Sequence, residues 1–152
     1  HEVRPALLFS LAMQGFGSKT IYQTDKKDKE LFYDRGYANI SFVSGEGGLQ
    51  VNLKRNLSLD LFSIVIPQHS IESFIEYNAQ ICEPFAPFTQ CCDNSHLFLN
   101  ENRHVEKAVV KAANDISQAR LMGNNAHRYM ESKIIDCLSG FLMPGCLSSG
   151  NE

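Results

Sequence analysis

The spacing of apolar residues changes at Pro67, and this change limits the chain to a small set of folds. Before Pro67, short segments alternate apolar and polar residues, as in 49–53, and turns rich in glycine or charge separate them, as in 44–48. Five to seven such segments fit into about 65 residues, which is the density of a β-sandwich or a small barrel. No stretch of helical spacing lies between them, so a parallel sheet with crossover helices is not expected.

The first of these segments is an apolar run from Ala6 to Met13, which is followed by Gln14-Gly15-Phe16-Gly17 and by an alternating segment over 19–24. Glycine is common in tight turns because it adopts backbone angles that other residues avoid. The pattern therefore predicts a β-hairpin with its turn at 14–17.

The second half of the chain has helical periodicity. Ser70 is a suitable N-cap for a short helix, whereas residues 80–100 contain two prolines and are predicted to be irregular. From Val105 onward, small or apolar residues recur every three or four positions, and Gly123-Asn124-Asn125 separates this segment from a second helix over about 126–143. The short connection predicts an antiparallel helix pair.

These patterns predict a single α+β domain. The chain has 152 residues, of which 43% are hydrophobic and 20% charged, a composition typical of one globular core. We expect the β-barrel over about 5–67, a short helix and an irregular loop over 68–100, and the helix pair over 103–143. Residues 144–152 resemble the start of a linker.

Charge and hydropathy exclude several classes of function. A net charge of −3 gives no excess of cations for phosphate groups, so this chain is not expected to bind nucleic acid itself. It has neither an apolar run of about 20 residues nor a secretory signal at its start, so we expect a cytoplasmic location and no membrane contact. Its five cysteines are then expected to be reduced thiols, with the role of the neighbours Cys91 and Cys92 left open.

The second helix contains the string R-Y-M-E-S-K-I-I-D-C-L at 128–138. This string resembles the R-x-Y-L-E-S-K-x-x-E-L-L helix that closes the amino-terminal domain of AraC-family transcription regulators, particularly those related to regulators of siderophore uptake. Earlier segments follow the family's order: an apolar first strand that reaches a turn at 12–15, further hairpins, and a strand that leads through 65–67 into the short helix. The resemblance covers about residues 5–143, although the cysteine-bearing loop at 82–100 has no counterpart.

The resemblance implies a fold and a function. The fold would be a small cupin-like antiparallel β-barrel, or jelly roll, followed by the antiparallel helix pair. The domain would sense a small-molecule effector, siderophore-like or aromatic, and would form a homodimer. DNA would be bound by a helix–turn–helix domain that this chain lacks, so we expect the chain to be part of a longer bacterial regulator.

Candidate site residues follow from these expectations. Apolar and aromatic residues on the predicted barrel strands are candidates for ligand binding: Phe9, Tyr22, Ile40, Phe42 and Val51. The alternative is that they form a solid core. Residues of the helix pair are candidates for the dimer interface, with packing inside the chain as the alternative: Val109, Ile116, Ile134, Leu138 and Phe141.

The sequence contains no recognisable catalytic motif. Its five histidines are scattered with no two at metal-ligand spacing, and no nucleophile elbow is present. The Gly45-Glu46-Gly47-Gly48 segment lacks the lysine and the following helix of a phosphate-binding loop. We therefore predict neither enzyme activity nor a metal or cofactor. Two alternatives remain: a stand-alone cupin-like small-molecule binding module without a transcriptional role, and a cupin-type enzyme with an unrecognised site.

Overall fold

The computed structural model describes residues 6–22, 27–43, 48–52, 58–76, 96–97, 99, 101–119, 123, 127–145 and 147. The elements follow in this order: β1 Ala6–Tyr22, β2 Lys29–Asp34, β3 Tyr37–Val43, β4 Gly48–Asn52, β5 Leu59–Pro67, α1 Gln68–Glu76, β6 His96–Leu97, β7 Arg103–His104, α2 Lys107–Ala119 and α3 His127–Leu142. The chain divides into a β unit, residues 1–104, and a helical unit, residues 105–152. Within the described residues, no helix has the length and apolar character needed to cross a bilayer.

Strand β1 is the centre of the β unit. It is 17 residues long and pairs in antiparallel fashion with four other strands. Its first half lies between β3 and β5, so that Phe9 is opposite both Ile40 and Ile64. Its second half lies between β2 and β4, so that Lys19 is opposite both Leu31 and Val51. Because each half has different neighbours, the sheet curls into a half-barrel.

A bulge and a glycine mark the point where β1 exchanges its neighbours. The register with β5 shifts between Ala12 and Gln14, and the next residue, Gly15, has a φ of 86°. A Cβ atom on Gly15 would overlap the carbonyl oxygen of Ser58. That oxygen accepts a hydrogen bond of 3.0 Å from the backbone N–H of Phe16, which closes the bend. Glycine is therefore required here for two reasons, its positive φ and the close backbone approach.

The two faces of the first half of β1 differ in chemistry. Side chains alternate between the faces of a strand, and residues opposite each other in register share a face. One face, called the apolar face, carries eight buried side chains: Leu7, Phe9, Leu11, Ala38, Ile40, Phe42, Ile64 and Ile66. The other, called the inner face, carries Ser10, Asn39, Ser41 and Ser63 together with Leu8 and Val65, of which Val65 is 58% exposed. Burial of each large apolar side chain contributes roughly 1.5–3 kcal/mol, so the apolar face is the main stabilising layer.

Asn39 joins β3 to an interrupted edge strand. Strands β6 and β7 both pair with β3, at Phe42–His96 and at Ala38–Arg103 respectively. Between these two pairings, the Asn39 amide accepts a hydrogen bond of 3.2 Å from the N–H of Leu99 and donates one of 2.9 Å to its carbonyl. The amide thus replaces the missing ladder bonds, and these contacts satisfy a polar group that is only 2% exposed.

The helical unit is a tightly packed antiparallel pair. Val109 near the start of α2 lies beside Gly140 near the end of α3, while Asp115 lies beside Lys133. A Cβ atom on Gly140 would lie 2.6 Å from Cγ2 of Val109. The thiol of Cys137 donates to the carbonyl oxygen of Val109 at 3.8 Å. The backbones therefore approach closely because a residue without a side chain occupies position 140.

Several sequence predictions can be compared with this architecture. The α+β class, the antiparallel strands, a short helix after Pro67 and the helix pair are confirmed. The assignment of Ser70 as the N-cap is wrong, because the helix begins at Gln68 and Ser70 lies in its first turn. The hairpin predicted at 14–17 is wrong, because these residues belong to the continuous strand β1. Gly15 lies at a bulge within one strand rather than in a turn between two strands. Most of the loop predicted over 80–100 lies outside the described residues.

Replacing Gly15 by alanine should destabilise the β unit severely. The substitution adds backbone strain of about 1–2 kcal/mol and also forces Ser58 to move, for a further roughly 2–4 kcal/mol. Gly145→Ala is the matched control, since Gly145 also has a positive φ but has no atom within 4 Å of an added Cβ. Urea denaturation of both variants measures the difference. Equal losses would show that overlap with Ser58 does not constrain the strand.

Gly140 and Val109 should be energetically coupled. Alanine at 140 gains about 1 kcal/mol of helix propensity but collides with Val109, at a cost of roughly 1–3 kcal/mol. In a Val109→Ala background the overlap with Val109 disappears, but Cδ1 of Leu147 still lies 2.8 Å from the added Cβ, so Gly140→Ala should be less destabilising there than in wild type. A double-mutant cycle by denaturant unfolding measures this coupling. Ser132→Ala, an exposed change in the same helix, should combine additively with Val109→Ala.

Candidate functional site

Four polar side chains of the β unit form a connected group, called here the Lys19 cluster: Ser10, Lys19, Tyr33 and Asn102. The ammonium group of Lys19 donates a hydrogen bond of 2.6 Å to Oγ of Ser10, and it lies 5.6 Å from the centre of the Tyr33 ring. The Tyr33 hydroxyl is hydrogen-bonded to the side chains of Ser10 and Asn102. Lys19 is 3% exposed and Tyr33 is 2% exposed, so the centre of the cluster is enclosed by protein.

The curl of β1 assembles this cluster. Ser10 lies on the first half of the strand and Lys19 on the second, and the bend at Gly15 lets their side chains meet. Tyr33 of β2 lies opposite Gly17 of β1, a residue with no side chain to compete for the space beside the ring. A contact between residues nine positions apart on one strand thus depends on the change of direction between them.

Asn102 connects the cluster to the segment that precedes β7. Its Nδ2 donates a hydrogen bond of 2.6 Å to the carbonyl oxygen of Phe32, the neighbour of Tyr33 on β2. Its Oδ1 is buried and makes no hydrogen bond within the described part of the chain. A buried acceptor without a donor costs roughly 1–3 kcal/mol, so Asn102 presents an unused hydrogen-bonding group next to Tyr33.

Lys19 is a buried cation among neutral partners. Within the residues that the structure describes, no carboxylate pairs with its ammonium group. Burial lowers the pKa of Lys19 from 10.5 to about 8. The hydroxyl of Ser10 and the ring of Tyr33 offset only part of the cost of removing the charge from water. Lys19 therefore carries a positive charge at neutral pH at the expense of folding stability.

Tyr33 remains a neutral phenol in this environment. Burial raises its pKa well above the usual value, and the hydrogen bonds from Ser10 and Asn102 oppose this effect only partly. The remaining polar neighbour is Ser63 of β5, whose Oγ lies 3.4 Å from Oγ of Ser10. The cluster consequently offers one positive charge and several neutral hydrogen-bonding groups. Within the described part of the chain, no three His, Cys, Asp or Glu side chains converge as metal ligands would.

The residues predicted to bind a ligand lie in different places. Phe9, Ile40 and Phe42 are brought together, but they are fully buried on the apolar face, on the other side of the sheet from Ser10. Val51 is opposite Lys19 in register and Tyr22 is opposite Gly48, while their side chains lie outside the described residues. Sequence reasoning missed Lys19. The signal available was Ser10, a polar residue within the apolar run over 6–13, which a strand places on the opposite face from Phe9 and Leu11.

The residues predicted to form a dimer interface are mostly enclosed. Val109, Ile116, Leu138 and Phe141 are buried within the chain, and Ile134 is half-buried. A side chain with almost no accessible surface makes no contact with a second copy unless the chain rearranges. The outward surface of the pair carries polar groups and Tyr129, which is 41% exposed.

An ion network links the two helices on their exposed side. Asp115 of α2 lies 3.3 Å from the ammonium groups of both Lys111 and Lys133. Desolvation raises the pKa of Asp115, but the hydrogen bonds from Lys133 and Lys111 outweigh it and hold the pKa below its usual value. The hydrogen bond to Asp115 raises the pKa of Lys133, whose ammonium also lies 5.5 Å from the centre of the Tyr129 ring. Such solvent-screened pairs fix the helix register more than they stabilise the fold.

Lys19→Met should change stability in a pH-dependent way. The pKa of Lys19 falls from 10.5 to about 8 on folding, so between these values the unfolded chain binds more protons and wild-type stability rises with pH. Lys19→Met lacks this pH-dependent contribution to the free energy of unfolding. Its advantage over wild type should therefore be greatest below pH 8, with roughly 3 kcal/mol from ionisation, and should shrink as the pH approaches 10.

Urea denaturation at pH 7, 8 and 9.5 measures this difference. Burial raises the pKa values of both Tyr33 and Cys137, but these groups are present in both proteins and cancel from the comparison. Lys27→Met, which removes an exposed lysine, is the control and should show no such trend. A Lys19→Met difference that stays constant from pH 7 to 9.5 would contradict the buried-cation assignment.

Comparison with known proteins provides no relative for this chain. No family model, no curated protein and no solved structure matches it. The resemblance of residues 128–138 to AraC-family regulators therefore stays a prediction from the sequence. The role of the Lys19 cluster rests on the chemistry of its own side chains.

Proposed function

We propose that this chain is the ligand-sensing and dimerisation domain of a bacterial AraC-type transcription regulator, and that the inner face of its half-barrel binds a small molecule. The observation that carries the proposal is Lys19, a buried cation whose partners among the described residues are all neutral. Buried charges are rare, and groups with strongly shifted pKa values are concentrated at functional sites. The Lys19 cluster is therefore the proposed ligand site. Since Lys19 is 3% exposed, a ligand would reach it only through a rearrangement of the residues that cover it.

A purely structural role explains Lys19 less well. A structural lysine gains most when a carboxylate neutralises it, and an apolar side chain of similar length would fill the same space without a desolvation cost. Proteins tolerate local instability where binding or catalysis requires it. The unused Oδ1 of Asn102 beside the same cluster supports this interpretation, because it is a second polar group for which folding alone provides no partner.

The finer fold assignment belongs to the same proposal. A first strand shared by two groups of antiparallel neighbours, with a helix pair later in the chain, is compatible with a cupin-like barrel. In such a fold the inner face would be the wall of the ligand site. Of the predicted residues, Phe9, Ile40 and Phe42 would support that wall from the apolar face.

The cluster includes a residue that is close in sequence to the start of the helical unit. Tyr33 connects Ser10 to Asn102, and Asn102 lies three residues before Val105, where the helical unit begins. A ligand that engages Ser10 or Lys19 would compete for these hydrogen bonds. It would regulate the protein only by binding two arrangements of the chain with different affinity.

Dimerisation is assigned to the outward side of the helical unit. Since four of the five predicted interface residues are buried, the contact would depend on half-buried Ile134 and on exposed Tyr129. A dimer would hold two DNA-binding domains at a high effective concentration on spaced half-sites. Those domains would be separate from this chain, whose net charge of −3 does not suit contact with DNA.

Native mass spectrometry of the chain, with and without a small-molecule extract of the source cells, tests the proposal. We expect a dimer that captures a small molecule, and we expect Ile134→Asp to shift the population to monomers while leaving capture intact. Glu72→Ala, an exposed change on α1, is the control for nonspecific effects of substitution. A monomer that captures a molecule would favour the stand-alone binding module, and a chain that captures nothing would reject the sensor function.

A further inference from the structure

We infer that Lys19 binds the anionic group of the ligand, and that the molecule recognised on the inner face is a monocarboxylate. This inference rests on the proposed function, since it names the chemical class of the molecule that the half-barrel binds. It depends on three features of the Lys19 cluster: an uncompensated charge, neutral surroundings and an unused acceptor.

The first feature is the missing counter-ion of Lys19. Its ammonium group touches the hydroxyl of Ser10 at 2.6 Å and faces the ring of Tyr33 at 5.6 Å, and neither group is negatively charged. No carboxylate in the described part of the chain pairs with it. A bound carboxylate would convert a lone buried cation into a hydrogen-bonded ion pair, and charge-assisted hydrogen bonds are about twice as strong as neutral ones. Ligand binding would thus offset the desolvation cost of the buried ammonium group, which folding leaves uncompensated.

The second feature is that, within the described residues, Lys19 is the single charged member of the cluster. Its ammonium group contacts Ser10 and the ring of Tyr33, and the groups linked to these two residues, Ser63 and Asn102, are also neutral. One cation balances one carboxylate. A phosphate group carries nearly two negative charges and would leave an excess buried beside neutral groups, so it suits this site less well.

The third feature is the buried Oδ1 of Asn102, which accepts no hydrogen bond in the described part of the chain. The Asn102 side chain forms a hydrogen bond with Tyr33, whose ring lies beside the ammonium group of Lys19, so this oxygen belongs to a residue of the same cluster. A ligand hydroxyl at a distance from its carboxylate would provide the missing donor. A hydroxylated acid should therefore bind more tightly than the same acid without the hydroxyl.

Isothermal titration of the full chain with matched compounds tests this inference. The acids are benzoate, 3-hydroxybenzoate and octanoate, the neutral counterparts are benzamide and octanamide, and phenyl phosphate is the doubly charged compound. We expect at least one acid to bind at least tenfold more tightly than its amide, and 3-hydroxybenzoate to bind several-fold more tightly than benzoate. Lys19→Met should abolish the preference for acids, whereas Lys27→Met removes the same net charge from an exposed position and should preserve it.

Ser10→Ala provides a second variant that keeps the ammonium group. It removes the hydroxyl that holds Lys19 and should weaken the binding of acids but not of amides, and circular dichroism establishes that each variant is folded. Two outcomes would overturn the inference while the binding function stands. In the first, amides bind as tightly as acids. In the second, acids bind Lys19→Met and Ser10→Ala as tightly as they bind wild type. Tighter binding of phenyl phosphate than of benzoate would overturn the carboxylate assignment. If none of the six compounds binds, the carboxylate assignment is also rejected. Capture of another molecule in native mass spectrometry would then show that the proposed function survives.

Discussion

The pairing of one strand with four others is the constraint on which the β unit depends. Strand β1 supplies backbone hydrogen bonds to β3 and β5 along its first half and to β2 and β4 along its second. The exchange occurs at the bulge before Gly15, where only a residue without a side chain can pass the carbonyl of Ser58. Because the strand bends there, Ser10 and Lys19 converge, and the inner face acquires its polar cluster. The sheet and the candidate site therefore have one structural cause.

The Lys19 cluster illustrates how a fold can hold a charge that does not stabilise it. The apolar face carries the large buried side chains, so the inner face can contain serines, an asparagine and a lysine without loss of the core. Asn39 on that face is fully satisfied by Leu99 and Ile40 and has a structural explanation. Lys19 and Asn102 lack such an explanation. The contrast between these polar groups on one sheet is what directs attention to Lys19.

Residue periodicity predicted much of the architecture, and its failures have specific causes. The apolar run over 6–13 correctly indicated a strand, and the spacing after Val105 correctly indicated two helices. The hairpin at 14–17 was wrong because glycine at a bulge and glycine at a turn produce the same local signal. The distinction depends on Ser58, which lies more than forty residues away in sequence and which local reasoning does not include.

The sequence by itself determined the change from strands to helices after Pro67 and the apolar sides of the helix pair, because these features depend on neighbours within a few residues. Only the tertiary structure decided that Lys19 is buried and that Val109, Leu138 and Phe141 are enclosed. Burial is a property of what covers a side chain, and the covering residues come from distant parts of the chain. The same reason explains why aromatic residues suggested a ligand site on one face of the sheet, whereas the candidate chemistry lies on the other.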